Sequence, residues 1–263
     1  MSTMRTILCF LAVFASAVGA SRSVASTDPV EEPLKVLILT GSNNHDWQAT
    51  TEALQRMFAS RQDFAVDVEL NPERLTADIL AEYDVLLSNW NAFGRKNQAA
   101  PWPQSFKDAY ADFVRQGGGH VAVHAGSSAH YDWPDYQAIG LANWSIVNPK
   151  TWHGPVHAFE TRIVDTEHVV VAGMSGFQTH DELWQRPYVH PDAHVLVEAY
   201  SKKTDSWVPS VFTGQFGEGR CFTILLGHSA ATMQKGSFEQ ILLRGTAWAG
   251  HHSLQDSGGA SSI

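Results

Sequence analysis

The sequence predicts an α/β fold with a mostly parallel central sheet, and three observations carry that prediction. Short β-branched apolar runs recur at 34–40, 83–89 and 120–124. Stretches with apolar residues at helical spacing alternate with them. The runs are apolar almost throughout, as expected of strands buried on both faces of a parallel sheet. With 263 residues, 44% of them hydrophobic and 17% charged, the chain is long and apolar enough to bury a full core.

Residues 1–20 read as a secretory signal: Arg5, then an apolar run over 7–18, then the small-residue exit Ala17-Val18-Gly19-Ala20. The run falls short of the roughly 20 residues a membrane span needs. No longer one follows, so the expectation is a secreted or periplasmic protein that is off the membrane once the signal is cleaved. Residues 21–33 read as a flexible leader, 34–251 as the folded domain and 252–263 as a disordered Ser/Gly-rich tail. Cys9 falls in the signal, which leaves Cys221 without a disulfide partner, and its apolar surroundings at 221–226 make it a packed core thiol.

Within the domain the first strand, 34–40, ends at Gly41, and a helix capped by Asp46 carries Thr50, Leu54, Met57 and Phe58 on one face. A strand at 64–70, a short helical segment at 72–80 and a strand at 83–89 follow. An amphipathic helix from Gln104 (Phe106, Tyr110, Phe113, Val114) stops at Gly117-Gly118-Gly119, and 120–124 is the next strand. The second half is richer in strands, at 156–164, 194–200, 208–213 and 221–226, and closes with a helix over 237–249. Strands alternating with helices mean right-handed crossovers, with ligands bound beyond the carboxyl ends of the strands.

The polar residues collect at those ends: Asn43-Asn44-His45 after the first strand, Asn89-Trp90-Asn91 after the third, His124 at the fourth, and Gly227-His228-Ser229 after the last. Packing alone does not require His or Asn at four strand ends, so they mark a cleft. Several of the 13 histidines lie near turns, where imidazole serves as metal ligand or acid–base group. His157, His180, His190 and His194 read better as ordinary loop residues. A formal charge of −9 with no basic cluster excludes a nucleic-acid partner.

The segments 39–47, 117–125, 181–184 (Asp181-Glu182-Leu183-Trp184), 219–220 and 226–228 together resemble the ThuA family, named for trehalose utilisation. The resemblance covers the chain after the leader. It implies the class I glutamine amidotransferase-like fold, a flavodoxin-like three-layer sandwich, and a link to sugar metabolism. It also draws attention to Glu182. The amidotransferases place a nucleophilic cysteine at a sharp strand-to-helix turn. Here that turn reads His124-Ala125-Gly126-Ser127-Ser128, so thioester glutaminase chemistry is excluded, and a serine nucleophile at Ser127 or Ser128 lacks a G-x-S-x-G frame. Glu167-His168-Val169 departs from the His-Pro common in the family, and His168 is read as a turn residue.

Two functions follow as expectations. The first is an enzyme on a carbohydrate or keto-sugar. His124, Glu182 and His228 would move protons or hold a divalent metal such as zinc, and Asn44, His45, Trp47, Asn89, Asn91 and His153 would bind substrate. Trp47, Trp90, Trp144 and Trp152 would offer stacking faces for sugar rings. The second is a glycan-binding module that uses the same cleft without turnover. A homodimer is the default assembly.

Overall fold

The computed structural model describes residues 32–93, 102–128 and 133–254. The signal, the leader up to residue 31 and the tail from 255 lie outside these. The elements are β1 (Leu34–Leu39), α1 (Trp47–Ala59), β2 (Phe64–Glu69), α2 (Ala77–Leu80), β3 (Val85–Ser88), α3 (Gln104–Arg115), β4 (Gly119–Val123), α4 (Pro134–Ile139), β5 (Ala142–Asn143), β6 (Trp152–His153), β7 (His157–Ile163), β8 (Gln178–Asp181), β9 (Trp184–Gln185), β10 (Tyr188–Val189), β11 (His194–Ser201), β12 (Ser206–Phe216), β13 (Gly219–Ile224), α5 (Ala230–Met233) and α6 (Gly236–Ala249). Among the described residues no helix is long and apolar enough to cross a membrane.

Nine strands form the central sheet in the order β2-β1-β3-β4-β13-β12-β11-β7-β8. The expected parallelism holds from β2 to β13 and stops there. The pairings of β13 with β12, β12 with β11, β11 with β7 and β7 with β8 are antiparallel, so the sheet is mixed. The physical reason lies in the connections: short turns join β11 to β12 and β12 to β13, and chains that reverse within a few residues can only pair antiparallel. The two-residue strands β5, β6, β9 and β10 pair among themselves, as β10 with β5 and β6 with β9, and are too short to leave a periodic trace in sequence.

Successive residues of β1 point to opposite faces and enter two separate cores. Val36 and Ile38 pack with Leu54 and Phe58 of α1 and with Phe238 and Ile241 of α6. Leu37 and Leu39 pack with Phe106 and Tyr110 of α3 and with Tyr136 of α4. Burial of both faces explains why these strands read as continuous apolar runs. Trp90 belongs to the second core at 2% exposure, beside Trp102, so it is not free to stack against a ligand.

The register sets the working edge. Leu39 lies beside Ser88, Ser88 beside Ala122, and Val123 beside Ile224, so the loops after β1, β3, β4 and β13 all leave the same edge of the sheet. Close approach there needs glycine: a Cβ on Gly126 would sit 2.1 Å from the carbonyl oxygen of Ser88.

One core group titrates against the fold. His120 of β4 is fully buried, its Nδ1 lies 2.7 Å from the Tyr110 hydroxyl, and its Nε2 has no hydrogen-bond partner among the described residues. Burial lowers its pKa to about 3. An unfolded histidine takes its proton near 6.5, so between these values the unfolded chain holds the extra proton. The His120 contribution is therefore complete above pH 6.5 and is lost as pH falls toward 3. Between pH 6 and 4, His120→Gln is expected to flatten the pH dependence of urea unfolding by about 1.4 kcal/mol per pH unit. An unchanged slope would contradict this assignment.

Candidate functional site

His45, His124, His228 and Glu182 converge at that edge, each offering one ligand atom and all four atoms lying within 4.8 Å of one another. The imidazoles meet edge to face, with centroids 4.8 Å apart for His45 and His124, 4.7 Å for His45 and His228, and 5.5 Å for His124 and His228. They come from loops some 80 to 100 residues apart in sequence, and the parallel register alone brings them together.

The His124 and His45 rings are each aimed by a partner on the far side. His124 opens the turn after β4 at φ 47, a left-handed conformation that is uncommon for a residue with a side chain and marks functional turns. Its Nδ1–H donates to the Leu225 carbonyl at 2.7 Å, because a carbonyl can only accept. The lone pair therefore sits on Nε2, which is buried, without a hydrogen bond, and 3.6 Å from Glu182 Oε1. The strand was expected to include His124; it ends at Val123, and leaving the ladder is what lets the ring turn inward.

His45 is treated likewise. Asn43 Oδ1 accepts from the His45 backbone N–H at 3.0 Å and from its Nδ1–H at 2.9 Å, which leaves Nε2 for the cluster. Asn91 Nδ2 ties this turn down by donating to Asn43 Oδ1 at 2.7 Å and to Asn44 Oδ1 at 2.9 Å. His228 follows Gly227, whose φ of +102 suits glycine, and both backbone N–H groups donate to the Asp181 carboxylate at 2.7 and 3.1 Å. Asp181 also accepts from the Glu182 backbone N–H at 2.9 Å, so one buried carboxylate fixes the turns that carry Glu182 and His228. The sequence reading passed over Asn43 and Asp181 as orienting groups, although both stand beside residues it singled out.

Glu182 is the hub. Oε1 accepts from Trp184 Nε1–H at 2.8 Å, and Oε2 lies 3.2 Å from His228 Nδ1 and 3.3 Å from His153 Nδ1. Burial works against its ionisation, but the adjoining His228, His124 and His153 outweigh that and hold its carboxyl down at about 2. Burial lowers His45 to about 3 and His124 to about 4, whereas contact with Glu182 raises His228. At neutral pH the cluster thus presents one carboxylate and two neutral imidazoles with lone pairs facing inward. That donor set can hold a metal ion. Tetrahedral zinc with bonds of about 2.0–2.1 Å places its ligands about 3.3 Å apart; the four donor atoms here lie within 4.8 Å of one another, so the side chains would draw inward around a bound ion. His124 Nε2, buried and without a hydrogen-bond partner among the described residues, is the atom a cation would satisfy.

A pocket of about 80 Å³ opens beside the cluster, lined by Asn44, His45, Asn91, His153 and Glu182 with aromatic walls of Phe93, Trp144 and Trp184. His153 is the most open of the site histidines, and its Nδ1–H donates to the Gly154 carbonyl at 2.7 Å. Ser128 also lines the pocket, and its Oγ accepts from Trp144 N–H; Ser127 Oγ donates to the His124 carbonyl at 3.0 Å. No hydrogen bond joins either serine to an imidazole. Cys221 is fully buried in β13, and burial pushes its thiol up, so it offers the site no nucleophile.

Two residues expected to bind substrate lie elsewhere. Trp47 is the first residue of α1 and does not line the pocket. Asn89 turns inward, its Nδ2 donating to Thr50 Oγ1 and Thr51 Oγ1 at 3.1 Å each, and so it pins α1 to the sheet end. Trp152, expected as a stacking face, carries the Lys203 ammonium 4.5 Å above its ring. Asn89→Ala should destabilise the chain by about 1–3 kcal/mol, since it removes two buried hydrogen bonds, and should leave ligand binding in the pocket unaltered. Calorimetric unfolding with ligand titration checks both, and lost binding in a variant of normal stability would refute the structural role.

Most of the chain is similar to solved ThuA-like proteins. One from Parabacteroides merdae is 25% identical with a TM-score of 0.73, covering 86% of this chain and 92% of that one. Another from Bacteroides uniformis is 18% identical with a TM-score of 0.63, covering 86% and 95%, which speaks to fold alone. A β-galactosidase from Bacillus circulans matches over 84% of this chain but 32% of its own, at 14% identity and a TM-score of 0.50. No curated protein matches the sequence. The ThuA family profile, described as trehalose utilisation, spans residues 35–249, and the chain belongs to the ThuA family.

Proposed function

We propose that this chain is an exported enzyme that acts on a carbohydrate or keto-sugar derivative, with zinc held by His45, His124, His228 and Glu182. The observation that carries the reading is the convergence of three imidazoles on one buried carboxylate, with His124 Nε2 left without a hydrogen-bond partner among the described residues. A divalent ion bound there would polarise a substrate oxygen and acidify a bound water. Asn43 and Asp181 hold the donor geometry, and Glu182 supplies the negative charge that offsets a cation.

Around that centre His153 stands at the pocket wall, where it can hold or pass a proton from its Nε2. Trp144 and Phe93 offer apolar faces to the C–H side of a sugar ring, with Asn44 and Asn91 in reach of its hydroxyls. Sugar chemistry is also what the family description suggests. A flavodoxin-like three-layer arrangement is supported by the separate cores on the two faces of β1. Export rests on residues 1–20, and a homodimer is the default assembly. A non-catalytic glycan-binding module is the second reading, favoured by a turn at His124-Ala125-Gly126-Ser127-Ser128 that holds no cysteine.

The test is elemental analysis of the purified protein beside a His124→Ala, His228→Ala double variant, followed by a screen of sugars and keto-sugars. About one equivalent of zinc in the parent, lost from the variant together with turnover, is the expected result. Metal-free parent protein that still binds glycan without turnover would overturn the enzyme reading in favour of the module.

A further inference from the structure

We propose that a second site, independent of the metal cluster, binds a small oxyanion, a carboxylate or phosphate group, at Arg220 and Arg244. Arg220 stands at the amino end of β13, whereas the His/Glu cluster lies past its carboxyl end. Six residues at roughly 3.3 Å each separate the two by about 20 Å. Four segments form the groove: the start of β13, the last turns of α6, the stretch 251–254 that follows it, and the turn around 167–172.

The cations there are anchored but carry no counter-charge. Arg220 Nη1 donates to the Trp248 carbonyl at 3.1 Å while its guanidinium lies 5.3 Å above the Trp248 ring. Arg244, one turn before Trp248 on α6, donates from Nη1 to the Ala172 carbonyl at 2.8 Å. Neither forms a salt bridge among the described residues, whereas Arg56, Arg61, Arg115 and Arg162 all do. In a chain of charge −9, with 27 acidic residues to 18 basic, two half-buried guanidiniums in one groove with no carboxylate in salt-bridge contact among the described residues are out of pattern. Each presents a planar fork of N–H donors, held in place by its carbonyl contact, and such forks match the oxygens of carboxylate and phosphate.

The neighbours add donors. His168 Nδ1 accepts from Val170 N–H at 3.3 Å, which leaves its Nε2–H as a donor, and its ring meets Trp248 at 5.3 Å. His251 also lines the groove. Of the acidic groups nearby, Asp165 is paired with His194 Nε2 at 2.9 Å, and Glu167 is an exposed member of the lining.

The full-length protein would be titrated with sodium phosphate and separately with sodium acetate, following the arginine Nε–H resonances by NMR. The same titrations would be run on Arg220→Ala, Arg244→Ala and the double variant, each checked for folding by circular dichroism. Saturable binding that weakens at least tenfold in the double variant, and falls with added sodium chloride, is the expected outcome. The tighter anion names the ligand class. Absence of saturable binding by both anions, or affinity unchanged in the folded double variant, would overturn the site. Metal content is read in the same samples and should be equal throughout, so failure here is separable from failure of the zinc assignment.

Discussion

A carboxylate taken out of water must be compensated, and the working edge of this protein is arranged around that requirement at Glu182. The side chain is 6% exposed, and an isolated ionised carboxylate there would cost several kcal/mol. What surrounds it is the Trp184 N–H, three imidazoles within 3.6 Å and, in the proposed holo form, a cation. The surrounding architecture serves to deliver those groups. Parallel register aligns four strand ends, Gly126 lets the β4 turn press against β3, and the left-handed turn at His124 directs a ring inward.

The contacts behind the cluster fix its shape. The outer nitrogens of His45 and His124 are bound to Asn43 and to the Leu225 carbonyl, so tautomer and orientation are set before anything binds. Asp181 joins β8 to the loop after β13 through backbone N–H groups. Partners of this kind generally matter to a metal site nearly as much as the ligands themselves.

Much of this was legible in sequence. The parallel half of the sheet announced itself because strands buried on both faces must be apolar throughout, and the carboxyl-edge rule then gathered His45, His124 and His228. Three things were not legible. Antiparallel pairing of β11 to β13 depends on connection length more than on strand composition. Asn89 and Trp90 sit beside Asn91 but face away from the pocket, and the direction of a side chain leaving a strand end is set by tertiary contacts. The aiming roles of Asn43 and Asp181 required knowing which atoms of neighbouring turns come within 3 Å. The resemblance to the ThuA family pointed to Glu182, whose place at the hub no local pattern revealed.

The most direct test of the account is anomalous diffraction at the zinc edge from crystals of the protein grown with zinc. The account predicts one strong peak within about 2.0–2.2 Å of a nitrogen from each of His45, His124 and His228 and an oxygen of Glu182. Density at the cluster without an anomalous signal, or zinc bound only elsewhere on the surface, would contradict it.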